Sequence, residues 1–271
     1  MEKTDNNISD RKLRLTIRVA TGTMSFSVGD PQADGQIVFE EYGLNNGIST
    51  AANLREAFTK SELLQSGYKK ALVLTGSPVM LLPADEEQEQ DCATLYHHIY
   101  DGHHGEEILH AALPDLNAVA VFAVNKDLKL VVEDHFGDFA FVPLMQPVWT
   151  RLYHRSFSGT RRKLFAYFHE KRMEVFLFQQ NRFQFSNSFD ATYAHDAAYY
   201  LLYAWRQLGM DKERDEVYLA GNITHLDWLR KQLPRYVRRS FIINQNTDFN
   251  NISMAQRDDI PYDLKASYFE I

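Results

Sequence analysis

The sequence predicts an α/β protein built from two copies of a β-β-β-α-β unit, the first copy carrying an inserted β-α-β-β-α block. Three observations predict it. A pair of alternating apolar runs joined by a short turn opens each half, at Leu13–Val28 and again at Lys163–Phe178. Each pair leads through a third strand and a helix to a short continuous apolar run, Ala71–Leu74 and Val217–Ala220, as expected of parallel strands buried on both faces. Each run is followed by a glycine, Gly76 or Gly221, which pairs the two glycines in the repeat although residue identity between the halves is negligible.

In chain order, Leu13, Leu15, Ile17 and Val19 alternate with Arg14, Thr16 and Arg18, the period of a half-buried strand. Thr21-Gly22-Thr23 is the turn, and Met24, Phe26 and Val28 alternate again. Gly29 to Gly35 punctuates the chain before a third strand over Gln36–Tyr42. Ser49 or Thr50 caps a helix with Leu54, Phe58 and Leu63-Leu64 on its apolar stripe, and Gly67 ends it. Lys70–Thr75 is the buried strand. The insertion follows: a strand at Val79–Leu82, a helix over Glu86–Tyr100 with an acidic first turn, strands at Ile108–Leu113 and Ala118–Val124 joined by Pro114-Asp115-Leu116-Asn117, and a helix over Leu128–Phe136. Phe139–Leu144 returns to the main sheet, and Pro147–Ser156 is a connecting helix with Ser158-Gly159-Thr160 as a hinge. The second half repeats the order with strands at Lys163–Phe168, Glu174–Phe178 and Arg182–Ser188, a helix over Thr192–Leu208 and a strand at Glu216–Ala220. A helix over Thr224–Leu233 and a strand at Ser240–Ile243 follow, and the tail from Gln245 is polar until Tyr268-Phe269. The domains are then 11–77 with 138–157, the inserted subdomain 78–137, and 158–271.

Composition bounds the function. With 271 residues, 45% of them hydrophobic and 13% aromatic, the chain can bury a sizeable core as one large or two ordinary domains. A net charge of −7 argues against a general nucleic-acid binder, which needs clustered Lys and Arg. Cys92 is the single cysteine, which excludes an intramolecular disulfide and a thiolate zinc site and leaves a small half-buried apolar residue. Residues 1–10 form a polar, acidic arm, not a signal peptide, and are expected to be disordered. No apolar run approaches the roughly 20 residues that span a bilayer. A cytoplasmic protein without membrane insertion is expected.

The arrangement resembles the actin/Hsp70/sugar-kinase fold, the duplicated actin-like ATPase (ribonuclease H-like) architecture. The small insertion is similar to that of the bacterial branch containing the cell-division actin homologue and the pilus-assembly actin-like proteins. The chain as a whole looks like a bacterial family of unknown function assigned to that fold. The resemblance implies a nucleotide site gripped by two β-hairpins. Where such enzymes carry hydrophobic-Asp-x-Gly-Thr, this chain has Val19-Ala20-Thr21-Gly22-Thr23. Gly22 and Thr23 fit, but Ala20 stands where the metal-holding carboxylate belongs, and a methyl group cannot coordinate a hard cation. The second hairpin, His169-Glu170-Lys171-Arg172, has no glycine, although Lys171 and Arg172 can attract an anion. Val217–Gly221 followed by Asn222 is similar to the adenosine-binding hydrophobic-x-Gly-Gly-Ser, with Asn222 in place of the second glycine. The candidate nucleotide-binding residues are Thr21, Gly22, Thr23, Lys171, Arg172, Gly221 and Asn222; no catalytic or metal residue is expected.

Other clusters read more plainly. The His-rich segment Tyr96–Glu107 lacks the spacing of a zinc site and is expected to be a surface turn. No nucleophile elbow or phosphate-binding Gly-rich loop is present. Arg151, His154, Arg155, Arg161, Arg162 and Lys163, and separately Arg235, Arg238 and Arg239, are expected to be solvated faces rather than an RNA or anion site. Tyr193, Tyr199, Tyr200, Tyr203 and Trp205 are expected to pack into the core. These features together predict a non-catalytic interaction or scaffold protein of this fold, with no cofactor and an unidentified protein partner. Nucleic acid is disfavoured, a homo-oligomer remains open, and any ATP·Mg²⁺ bound would go unhydrolysed. An atypical nucleotide-binding protein is the alternative, and an RNA- or anion-binding module the second.

Overall fold

The computed structural model describes residues 14–29, 37–85, 89–103, 105–179 and 182–271. The expected polar arm at 1–10, the glycine-punctuated loop over 30–36 and the acidic start of the inserted helix at 86–88 lie outside the described residues. The chain divides into two compact units, residues up to 114 with 118–146, and 115–117 with 147–271.

In the first unit the strands are β1 (Leu15–Ala20), β2 (Thr23–Gly29), β3 (Ile37–Tyr42), β4 (Lys70–Thr75), β5 (Val79–Pro83), β6 (Glu107–Leu113), β7 (Ala118–Val124) and β8 (Asp138–Pro143). The helices are α1 (Thr50–Lys60), α2 (Glu62–Gln65), α3 (Glu89–Ile99) and α4 (Lys126–His135). A five-stranded sheet runs β3-β2-β1-β4-β8, antiparallel in its first two pairings and parallel from β1 onward. The insertion forms its own antiparallel sheet, β5-β7-β6. Cys92 is not half-buried but fully enclosed, in a small core with Tyr96, Met80 and Val121.

Two expectations change here. β1 and β2 are covered on both faces: Thr16 and Arg18 are buried along with Leu15 and Ile17. The helix expected to run to Gly67 breaks at Ser61. That residue caps α1's end through its N–H and starts α2 by accepting from the Leu64 N–H, while its hydroxyl donates to Glu40 at 2.8 Å.

The remaining elements are α5 (Met145–Ser156), β9 (Lys163–His169), β10 (Arg172–Gln179), β11 (Arg182–Asp190), α6 (Ala194–Gln207), β12 (Glu216–Gly221), α7 (Leu226–Gln232), β13 (Ser240–Ile242), α8 (Gln245–Asp248) and α9 (Tyr262–Glu270). The second unit's sheet, β11-β10-β9-β12-β13, repeats the order and the mix of antiparallel and parallel pairings of the first.

Register aligns the copies residue by residue. Ala20 pairs with Thr23 across the first hairpin, and His169 with Arg172 across the second. Val19 lies beside Thr75, and Phe168 beside Gly221. Gly76 therefore corresponds to Asn222, not to Gly221; each donates its N–H to the end of the central strand, to Val19 O and to Phe168 O, both at 2.8 Å.

The tail is not merely polar. Helix α9 buries six consecutive residues, Tyr262 to Ser267. Asp263 accepts from the Tyr167 hydroxyl at 2.8 Å, and Lys265, fully buried, donates to Gln245 Oε1 at 2.8 Å. Arg151 bridges Asp248 and Glu270, each at 2.8 Å.

Candidate functional site

The first hairpin is a two-residue turn over Thr21 and Gly22. Gly22 sits at φ +79, and a Cβ there would meet nothing within 4 Å, so its glycine is demanded by backbone conformation alone. Behind the turn lies a charge absent from the hydrophobic-Asp-x-Gly-Thr pattern. Arg18, only 3% exposed, donates to the Thr23 hydroxyl oxygen at 3.1 Å. Ser25, opposite it on β2, and Thr16, two residues before it on β1, have buried hydroxyls without a hydrogen-bond partner among the described residues. This hairpin presents a guanidinium and hydroxyls, and no carboxylate at Ala20.

The second hairpin turns through Glu170 at φ +47, a left-handed conformation uncommon for a residue with a side chain. Its carboxylate bonds His169 Nδ1, while His169 Nε2 lies 3.2 Å from Glu174 Oε1. Burial opposes a charge on this imidazole, yet the two carboxylates outweigh it and raise the pKa to about 9. With both ring nitrogens protonated, each donates to one carboxylate. Glu174 Oε1 also accepts from the Ser188 hydroxyl at 2.6 Å, and Ser188 Oγ accepts from Arg172 Nε at 2.9 Å. Arg172 is thus drawn along the sheet toward Ser188 and Glu174. Lys171 is exposed at the tip.

Gly221 has a different reason to be glycine. At φ +87, a Cβ would stand 2.2 Å from Phe168 O and 2.7 Å from the Tyr167 ring. The close approach it permits is to the protein's own central strand. Asn222, exposed, follows it.

The structure therefore groups Lys171, Arg172, Gly221 and Asn222 around the end of β9 in the second unit, while Thr21, Gly22 and Thr23 sit at the end of β1 in the first. Arg18, His169, Glu174 and Ser188 complete these hairpins and were not singled out from sequence. Charged residues inside alternating strands were the available signal.

Two other expectations fail. Arg151 is not solvated: its largely buried guanidinium pairs with Asp248 and Glu270, whereas Arg155 and Arg161 remain partly exposed while pairing with Asp248 and Glu216. Lys163 is buried and donates to the carbonyls of Ser156 and Ser158. Of the aromatics expected in the core, Trp205 and Tyr200 are there, but Tyr193, Tyr199 and Tyr203 are not. The buried stripe of α6 is Ala197, Ala198, Leu201, Ala204 and Trp205, whereas Tyr193, Tyr199 and Tyr203 are 68%, 62% and 49% exposed. Of these tyrosines only Tyr200 packs inward, stacked on Phe189. Among the described residues no group of three His, Cys, Asp or Glu is placed to hold a metal ion, and no helix is long and apolar enough to cross a membrane.

The family model described as "Protein of unknown function (DUF3822)" matches residues 2–239. No curated protein matches the chain. A crystal structure from Bacteroides thetaiotaomicron, described as a protein with actin-like ATPase fold and unknown function, superposes with a TM-score of 0.80 at 24% identity, over 92% of this chain and 98% of that one. The PilM–PilN type IV pilus biogenesis complex superposes with a TM-score of 0.50 at 12% identity, over 87% of this chain and 89% of that one. The fold is that of the actin-like ATPases.

Proposed function

The chain belongs to the DUF3822 family of proteins of unknown function, and from that premise we propose that it is a cytoplasmic interaction or scaffold protein of actin-like fold that does not hydrolyse ATP. One observation carries the reading: the second hairpin holds two carboxylates, Glu170 and Glu174, against a buried imidazole, where a phosphate would need backbone N–H groups and positive charge. Phosphoryl transfer rests on a metal ion and positioned charge. Ala20 supplies no metal-holding carboxylate in the first hairpin, and in the second Glu170 and Glu174 engage His169 and draw Arg172 aside at a turn without glycine, so these residues do not fit a magnesium nucleotide. The PilM–PilN complex supports a protein partner for this fold by analogy only.

Isothermal titration with ATP·Mg²⁺ tests it. The reading expects no binding tighter than about 100 μM, roughly −5.5 kcal/mol, and no phosphate release. Tighter binding overturns it in favour of an atypical nucleotide-binding protein. The observation favouring that second reading is Arg18, a guanidinium set under a Gly-Thr turn.

A further inference from the structure

The exposed tyrosines are not scattered. Tyr199 and Tyr203 stand one turn apart on α6, their rings 6.1 Å apart and within 19° of parallel. With Arg206 from the same helix, and Trp228, Gln232 and Tyr236 from α7 and the turn after it, they line a surface groove of about 580 Å³. Its apolar floor is Ala198, Leu202 and Leu233. Tyr236 is 57% exposed and Trp228 half-buried, its ring 4.6 Å from that of His195. The folded unit gains nothing evident by leaving so much aromatic surface in water. Tyr, Trp and Arg are the residues that dominate binding hot spots, because they combine large rigid contact area with a polar end.

Charge decides the occupant. No carboxylate lines the groove, and Arg206 does. Lys231 follows Trp228 by three residues and Arg235 follows Gln232 by three, so helical spacing sets both beside the lining row, and both are exposed; the same spacing sets one exposed carboxylate, Asp196, beside Tyr199, so Arg206, Lys231 and Arg235 outnumber it. Among the described residues, Arg206, Lys231 and Arg235 have no ion-pair partner, in a protein whose net charge is −7. A second copy docking the same face would set these cations against each other, which disfavours a two-fold dimer here.

We propose that this groove docks an acidic segment of a partner protein, one carrying a bulky apolar or aromatic side chain between its carboxylates. The anchor fills the space between Tyr203, Trp228 and Tyr236, and the carboxylates meet Arg206, Lys231 and Arg235. The inference rests on the interaction-protein reading for its class of partner.

Selection of a phage-displayed random dodecapeptide library on the full chain tests it, with the Tyr203→Ala/Arg206→Glu double variant as counter-selection. Enriched peptides are expected to carry net negative charge and at least one Trp, Phe, Tyr or Leu. Synthetic copies should lose at least tenfold in affinity for Arg206→Glu alone, and lose binding when their Asp and Glu are changed to Lys. Circular dichroism confirms that each variant is folded, and Tyr236→Ala serves in its place if the double variant is not. No enrichment, neutral or basic peptides, or equal pools from both proteins overturns the proposal. So does a fluorescein-labelled 15-nucleotide oligo(dT) that binds and is lost with Arg206→Glu while peptides are not selected. Tight ATP·Mg²⁺ binding would overturn the proposed function without altering the peptide result, so the two failures are separable.

Discussion

Ala20 and His169 occupy the same place in their sheets. Each ends the central strand, pairs across a two-residue turn with the next strand's first residue, and precedes the turn that the resemblance expects to face a phosphate. In the first copy the position is a methyl group, the turn relies on Gly22, and the charge lies behind it in Arg18. In the second the position is a buried imidazole, the turn is made by Glu170 without glycine, and the charge is balanced within the hairpin by Glu170 and Glu174. One backbone register supports two unlike electrostatic settings. Conserved topology is therefore a poor guide to what a turn can bind, and the side chains on the preceding strand decide it.

The glycines separate the copies most sharply. Gly221→Ala drives a methyl into Phe168 O and the Tyr167 ring at φ +87, and is expected to cost more than about 3 kcal/mol or to prevent folding. Gly22→Ala meets open space, so only the left-handed backbone resists it, at about 1 kcal/mol. Urea unfolding of both variants checks the order. Similar costs would break the distinction between a glycine needed for packing and one needed for a turn.

The imidazole provides the next largest effect. A pKa near 9 in the folded protein against an ordinary value of 6.5 means that the native state holds the proton more tightly. The stabilisation, on the order of 3 kcal/mol, is fully present below about pH 6.5 and is lost as pH rises through 9. His169→Gln should be less stable at pH 6 and lose this falling limb, measured as unfolding free energy against pH. Lys265 supplies an opposite limb from outside the hairpins. Burial lowers its pKa to about 8, with Asp258 and Asp259 only partly offsetting it, so folded Lys265 releases its proton first and stability rises between about pH 8 and its unfolded value. Lys265→Met should abolish that rise and leave the His169 limb. A wild-type profile flat from pH 6 to 9 would remove the contrast between the hairpins.

These particulars show what sequence could carry. The doubled strand order was legible because alternating runs, a two-residue turn and a short continuous apolar run recur in the same order in both halves, even though the turns differ, Thr21-Gly22 against Glu170-Lys171. Helix α9 was not, because its six consecutive buried residues include Asp263, Lys265 and Ser267, leaving no amphipathic period to read. Arg18 was passed over because alternation assigns a charged residue to the solvent face, while β1 is covered on both faces. The tyrosines of α6 were misplaced by residue type. Their spacing, opposite the stripe of Ala197, Leu201 and Ala204, already put Tyr199 and Tyr203 on the other face. The Gly76–Gly221 match failed by one residue because Gly221 is the last residue of its strand whereas Gly76 follows the end of β4, a difference that only pairing with the central strand reveals.

The smallest effect asks whether each hairpin's hydrogen bonds matter in proportion to their burial. Thr23→Val keeps the side-chain shape and removes the oxygen that accepts from Arg18, a guanidinium only 3% exposed. A buried charged donor losing an acceptor costs about 1–2 kcal/mol. Arg172→Ala removes the donor to Ser188 and the 3.7 Å approach to Glu174, but its side chain is 46% exposed and water replaces what is lost. Its expected cost is within about 0.5 kcal/mol. Urea midpoints at pH 7 measure both. A larger loss for Arg172→Ala would mean that the second hairpin depends on its outer cation as well as on His169, and that its charges do not balance within the turn.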